Sequence, residues 1–119
     1  MVKGHCECNR ISYEADCEIL DFSHCHCSQC RRLHGAAFAT FASVATENCQ
    51  YLSGEEDIKE YASSDDLKRV FCGNCGSNIL VSLENFPEIL YLSMGAINGN
   101  PTLPEAYHIF VGSKAPWHE

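Results

Sequence analysis

The sequence is short of positive charge. Eight Lys and Arg stand against sixteen Asp and Glu, giving a formal charge of −8. A general nucleic-acid binder needs a basic footprint to displace counterions from phosphates, so that class is excluded. Anionic membrane surfaces are disfavoured for the same reason. No apolar run approaches the length of a membrane span. The stretch Met1-Val2-Lys3-Gly4-His5-Cys6-Glu7-Cys8 has no apolar segment of the kind an export signal needs. The expectation is a soluble, cytoplasmic protein with no membrane or nucleic-acid partner. Internal repeats, linkers and low-complexity segments are also missing. With 119 residues, the chain reads as one domain, 1–119.

The chain is rich in short strand-like runs, separated by Gly, Asn and Pro turns. Ile11, Tyr13 and Ala15 alternate with Ser12 and Glu14. A second strand runs from about Ile19 into a cysteine cluster. Residues 36–45 are apolar, with no polar positions at either period, which predicts a buried strand. Further strands are expected at 49–52, 58–62, 67–71, 77–83, 89–94 and 107–111. Residues 31–34 read as one helical turn, stopped by Gly35. Residues 63–66 read as a solvated polar loop. The pattern predicts a mainly β fold in more than one small sheet. Phe38, Phe41 and Trp117, the single tryptophan, read as core.

Nine cysteines are a high count for this length, and the number is odd. With no export signal, a disulfide framework is the weaker reading. The spacing instead clusters as metal ligands cluster: Cys6-x-Cys8, Cys25-x-Cys27-x-x-Cys30 and Cys72-x-x-Cys75. Cys17 and Cys49 stand alone and read as small buried hydrophobes.

Cys72-Gly73-Asn74-Cys75-Gly76 has the form of a zinc knuckle. It supplies two thiolates, and Cys6 and Cys8 supply two more. Together they predict a closed four-thiolate site of structural role. It would clip the start of the chain to its middle. The alternative is a redox-active Cys72/Cys75 pair, but no βαβ pattern surrounds it.

On an extended strand, Cys25 and Cys27 share one face, while His24 and His26 share the other. A turn at Ser28-Gln29 can return Cys30 to the first face. Three thiols then surround one point, suited to a soft cation such as Zn²⁺. From spacing alone, three outcomes stand open for this triad. Water or substrate could fill a fourth position. A histidine could close it, with His5, His24, His34 and His108 as candidates. The thiols could also remain metal-free. Nor does spacing exclude Cys25 or Cys27 from joining the knuckle.

Arg31 and Arg32 follow Cys30 directly and are candidates to hold an anionic substrate group near the metal. The plainer reading is a pair of exposed charges. His26 is a lesser candidate for acid–base work, since many strand histidines simply hydrogen-bond.

These motifs together resemble the glutathione-dependent formaldehyde-activating family, also described as S-(hydroxymethyl)glutathione synthase-like. The resemblance rests on Gly4-His5-Cys6-Glu7-Cys8 and on Cys25-His26-Cys27-Ser28-Gln29-Cys30-Arg31-Arg32 with Gly35. It extends through Phe71-Cys72-Gly73-Asn74-Cys75-Gly76-Ser77 to His108-Ile109 and Lys114-Ala115-Pro116-Trp117. It implies several coiled antiparallel β-sheets held by zinc. It implies a structural zinc at Cys6, Cys8, Cys72 and Cys75, and a catalytic zinc at Cys25, Cys27 and Cys30. It further implies a carbon–sulfur lyase that adds a thiol, glutathione or a related one, to an aldehyde such as formaldehyde, or reverses that addition. Two departures are visible. Asn9 stands where the family usually has Gly, and the glutathione-using members are longer. A three-thiolate zinc, at a net charge of about −1, is a poor generator of hydroxide but can still activate a thiol. The rival reading is a zinc-stabilised protein-binding module without turnover, whose acidic surface would dock a basic partner. A redox reading also stands, because methionine-sulfoxide reductases share the general fold.

Overall fold

The computed structural model describes residues 1–118. Ten strands and one short helix carry the fold. The strands are β1 (Val2–His5), β2 (Ser12–Ala15), β3 (Asp21–Cys25), β4 (Ala39–Ala45) and β5 (Cys49–Ser53). They continue with β6 (Ile58–Ser64), β7 (Leu67–Cys72), β8 (Asn78–Leu83), β9 (Phe86–Ser93) and β10 (Ala106–Ile109). The helix α1 (Ser28–His34) lies between β3 and β4. The mainly β expectation holds. The strands form a three-stranded sheet, ordered β1-β2-β5, and a seven-stranded sheet, ordered β10-β3-β4-β9-β8-β7-β6. All pairs are antiparallel except β10, which lies parallel to β3 at the sheet edge.

β4 explains its own lack of polar alternation. Ala42 and Val44 face the main core, while Ala39 and Phe41 face a second, smaller core. A strand covered on both faces needs no alternation. The main core joins the two sheets: Ile11, Tyr13 and Ala15 of the small sheet's region pack with Val70, Ile79, Leu80 and Leu92 of the large one. Each fully buried side chain such as Leu92 or Ile79 contributes about 1.5–3 kcal/mol. The second core gathers Cys25, Cys30, Ala39, Phe41 and Val81. Two hydrophobic cores therefore lie on opposite faces of the large sheet's centre.

Several local expectations change. β1 was not anticipated. It pairs with β2 from Val2↔Ala15 to His5↔Ser12, and Gly4 leaves the room that the buried Tyr13 ring occupies. The last strand stops at Ile109 rather than Val111, because Phe110 takes a left-handed backbone, φ 56°, which ends the ladder. Residues 63 and 64 continue β6 rather than opening the expected loop. Trp117 is 69% exposed and is not core. It lies in a surface turn beyond the last strand, where its ring meets the edge of His118. Asn9 adopts φ 65°. After glycine, Asn is among the residues that best tolerate this region, so it can take the place of the expected Gly.

Candidate metal centres

Two sulfur clusters form, and the chain topology separates them. Cys6 and Cys8 lie in the turn leaving β1, while Cys72 ends β7 and Cys75 lies in the turn that follows it. Those turns come from different sheets and meet. The Sγ atoms of Cys6 and Cys8 are 3.5 Å apart, and those of Cys8 and Cys72 are 3.8 Å apart across 64 positions of chain. All four sulfurs lie within 4.8 Å of one another, a grouping that could hold a metal ion. Cys25, Cys27 and Cys30 form the second such group. The spacing left open whether Cys25 or Cys27 joined the knuckle; the fold puts them with Cys30.

The four-sulfur group is dressed for negative charge. The Ile11 amide donates to Cys6 Sγ at 3.3 Å, and the Asn74 amide to Cys72 Sγ at 3.4 Å. The Ser77 hydroxyl lies 3.2 Å from Cys75 Sγ. Bonds from Ser77 hold the Cys75 thiol down at about 5, and a bond from Asn74 lowers that of Cys8. Hydrogen bonds to sulfur favour its charged form. Gly76, at φ 80°, supplies the left-handed turn that lets its amide return to the Cys72 carbonyl at 2.8 Å.

The triad is built where β3 hands over to α1. Cys25 ends the strand. Cys27 is the helix N-cap, with extended backbone, and its Sγ accepts the Cys30 amide at 3.3 Å. The turn at Ser28-Gln29 is the first turn of α1, and it brings Cys30 back to the cluster. Gly35 then stops the helix at φ 60°. Cys25 and Cys30 are buried. A bond to the Cys30 sulfur and burial together raise the Cys25 pKa. Cys30 is pushed down to about 5 by that bond and by Arg69.

Arg69 is the residue that sequence reasoning missed. It sits on β7, only 5% exposed. Its Nη2 donates to Cys30 Sγ at 3.5 Å and its Nε to Ser63 Oγ at 3.0 Å. It lines, with the three cysteines, a cavity of about 450 Å³. Arg31 and Arg32 do not line that cavity. A helix turns by about 100° per residue, so the two positions after Cys30 are carried away from its face. Arg32 is exposed and Arg31 lies on the side of His26. Its run, 67–71, read simply as a strand, and the neighbouring Lys68 gave Arg69 no distinction.

No histidine joins either sulfur group among the described residues. His24 Nδ1 is 2.9 Å from Thr40 Oγ1, and His5 Nδ1 is 2.8 Å from the Cys6 carbonyl. His26 and His108 bond to each other, Nε2 to Nδ1 at 2.7 Å, on the face opposite the triad. Burial beside His108 lowers the His26 pKa. His34 packs edge-on against Phe41. The face assignment read from strand alternation holds, and it takes His26 away from the triad cavity. Cys17 and Cys49 are half-buried against the main core.

Known proteins resemble this chain along its length. A crystal structure from Rhodobacter sphaeroides superposes with a TM-score of 0.70 at 26% identity, covering 82% of this chain and 89% of that one. An uncharacterized lyase of Schizosaccharomyces pombe is 32% identical over 83 residues, 70% of this chain and 58% of the relative. A Halomonas elongata protein, named as a proposed glutathione-dependent formaldehyde-activating enzyme, is 26% identical over all of this chain and 80% of its own length. The profile of the glutathione-dependent formaldehyde-activating enzyme family matches residues 1–113, and the chain belongs to that family.

Proposed function

We propose that this protein is a zinc-dependent carbon–sulfur lyase that joins a thiol to an aldehyde, or reverses that addition, within one zinc-binding domain, 1–119. The observation that carries the reading is the contrast between the two sulfur groups. One has four converging cysteines. The other has three, opening on a cavity. A closed tetrahedral set suits structure, and a three-ligand set leaves a position for chemistry.

The donors fit zinc. With Zn–S bonds of about 2.3 Å, the edge of a tetrahedron is about 3.8 Å. The sulfur separations of 3.5 and 3.8 Å lie close to that edge. Cys6, Cys8, Cys72 and Cys75 would hold the structural ion and Cys25, Cys27 and Cys30 the catalytic one. Zinc in the second site would supply a Lewis acid that lowers the pKa of an incoming thiol.

The reaction is RSH + R′CHO ⇌ RS–CH(OH)R′. The sulfur–carbon bond forms as the carbonyl π bond opens, and the thiol proton ends on the new hydroxyl. The chain's own groups prepare that step. Cys27 is fixed by the α1 amide, and Cys30 by Arg69. Apolar walls keep bulk water from competing for the aldehyde. Arg69 offsets the negative charge that three thiolates leave around a divalent ion.

The test is NMR exchange on a panel of thiols and aldehydes, with protein of measured zinc content. Accelerated exchange that disappears with the second zinc and returns on reloading is expected. No exchange with any pair at two zinc equivalents would favour the protein-binding module.

A further inference from the structure

The cavity beside the cysteine triad is large enough for a small organic molecule, at about 450 Å³. Much of its wall is Phe41, Leu67, Val81, Leu83, Ile109 and Phe110, whose side chains offer no hydrogen bonds. Two of the polar groups around it are already engaged. Arg69 donates to Ser63 through Nε and to Cys30 through Nη2, which leaves its Nη1 alone without a partner among the described residues, and the Gln29 amide donates to the Ser63 carbonyl at 3.1 Å. Charge is balanced too. A divalent ion with three thiolates would stand at about −1, and among the described residues Arg69 is the one Lys or Arg in the lining.

The mouth repeats the pattern. Phe110 and Tyr107 both line the cavity, yet they are 65% and 45% exposed. Phe110 also holds φ 56°, a backbone that bulky residues rarely adopt. Apolar surface gathered at a cavity mouth is surface that a ligand chain can cover.

Glutathione is poorly matched to such a wall. It carries two carboxylates, an ammonium and two peptide groups. Inside this cavity each would lose water and find few partners to replace it.

Resting on the thiol–aldehyde reading above, we infer that the substrate entering this cavity carries an uncharged apolar chain, aliphatic or aromatic, rather than the charged glutathione tripeptide. The chain belongs either to the thiol or to the aldehyde of the balanced addition already written.

Two measurements separate this inference from the reading beneath it. The first is calorimetric titration of the zinc-loaded protein with 1-butanol, 1-pentanol and 1-hexanol, which cannot form the adduct, and with glutathione. Affinity should rise about fourfold per methylene, the ratio for burying one CH₂. Glutathione should bind more weakly than hexanol. Phe110→Gly should flatten the series without lowering the melting temperature, because Gly suits a left-handed backbone and the ring is exposed. A chain-length series that is already flat in the parent protein, or glutathione binding tighter than hexanol, overturns the inference. The second measurement is exchange kinetics with alkanethiols plus formaldehyde, and with alkanals plus one fixed thiol. Chain-length dependence in the first arm assigns the chain to the thiol; in the second, to the aldehyde. Alkanol binding without any exchange keeps the apolar site and removes the lyase reading. Exchange of glutathione with formaldehyde, without alkanol binding, does the reverse.

Discussion

Cys72 and Cys75 offer a direct test of the four-sulfur group, because they differ in burial. Cys72 is fully buried, while Cys75 is exposed. If these cysteines only pack, Cys75→Ala should change stability by no more than about 0.5 kcal/mol, the usual range for a surface site. Cys72→Ala should then be the only costly change. If all four hold zinc, both should be costly. A structural zinc contributes about 10–16 kcal/mol of apparent binding, so one ligand's share is about 2.5–4 kcal/mol. The unfolding entropy of a 119-residue chain makes each kcal/mol worth about 4 °C. The predicted fall in melting temperature is therefore roughly 10–16 °C for Cys75→Ala. Cys72→Ala should lose that and some core packing besides. Scanning calorimetry with metal analysis on the same samples is the assay. One zinc equivalent should disappear in each variant. A Cys75→Ala protein that melts within about 2 °C of the parent, the span of a 0.5 kcal/mol change, would refute the four-thiolate site.

Further outcomes follow from the same geometry. Mild chelation should empty the three-cysteine site first, since it has one ligand fewer, and Cys27→Ser should mimic it. Circular dichroism should show the fold retained in both, and simultaneous loss of both metals would contradict the ranking. Arg69→Met should destabilise by about 1–3 kcal/mol, because Ser63 and Cys30 lose a buried donor. It should also speed metal release from the triad. Exposed Arg32→Ala should leave stability within about 0.5 kcal/mol, and a chemical denaturation curve for each variant checks the contrast. Gly4→Ala would place a methyl against Tyr13 Oη and 2.7 Å from the Ala96 carbonyl oxygen. A cost of about 1–3 kcal/mol is expected from such overpacking, and an unshifted melt would show that Tyr13 can move. Asn9→Gly should be tolerated, whereas Asn9→Val should cost about 1–2 kcal/mol at its left-handed backbone; equal melting temperatures for the two would count against strain there.

The sequence by itself marked the local cysteine clusters and the character of the fold, while tertiary structure decided that Cys6 and Cys8 join Cys72 and Cys75 across the chain. Thiol spacing is local: Cys25, Cys27 and Cys30 fall within six residues, and an N-cap followed by one helical turn is enough to gather them. The same holds for the Cys72 turn, for Gly35 as helix stop, and for His24 and His26 on the face away from the triad, because strand alternation is a property of the backbone. Tertiary structure decided what comes from elsewhere in the chain. Arg69 reaches Cys30 from a strand 39 positions later, and nothing in its own run marks the contact. Arg31 and Arg32 were candidates because they adjoin Cys30 in sequence, and the helix places both outside the lining of the triad's cavity. The apolar cavity has the same origin. Phe41, Leu67, Val81 and Ile109 sit on four different strands, so their common wall exists only once the seven-stranded sheet has assembled. Trp117 looked like core by residue type, yet it follows the last strand, where no neighbouring element covers it. Residue chemistry within a turn or two is encoded locally, but the company a side chain keeps across a sheet is set by strand order and register.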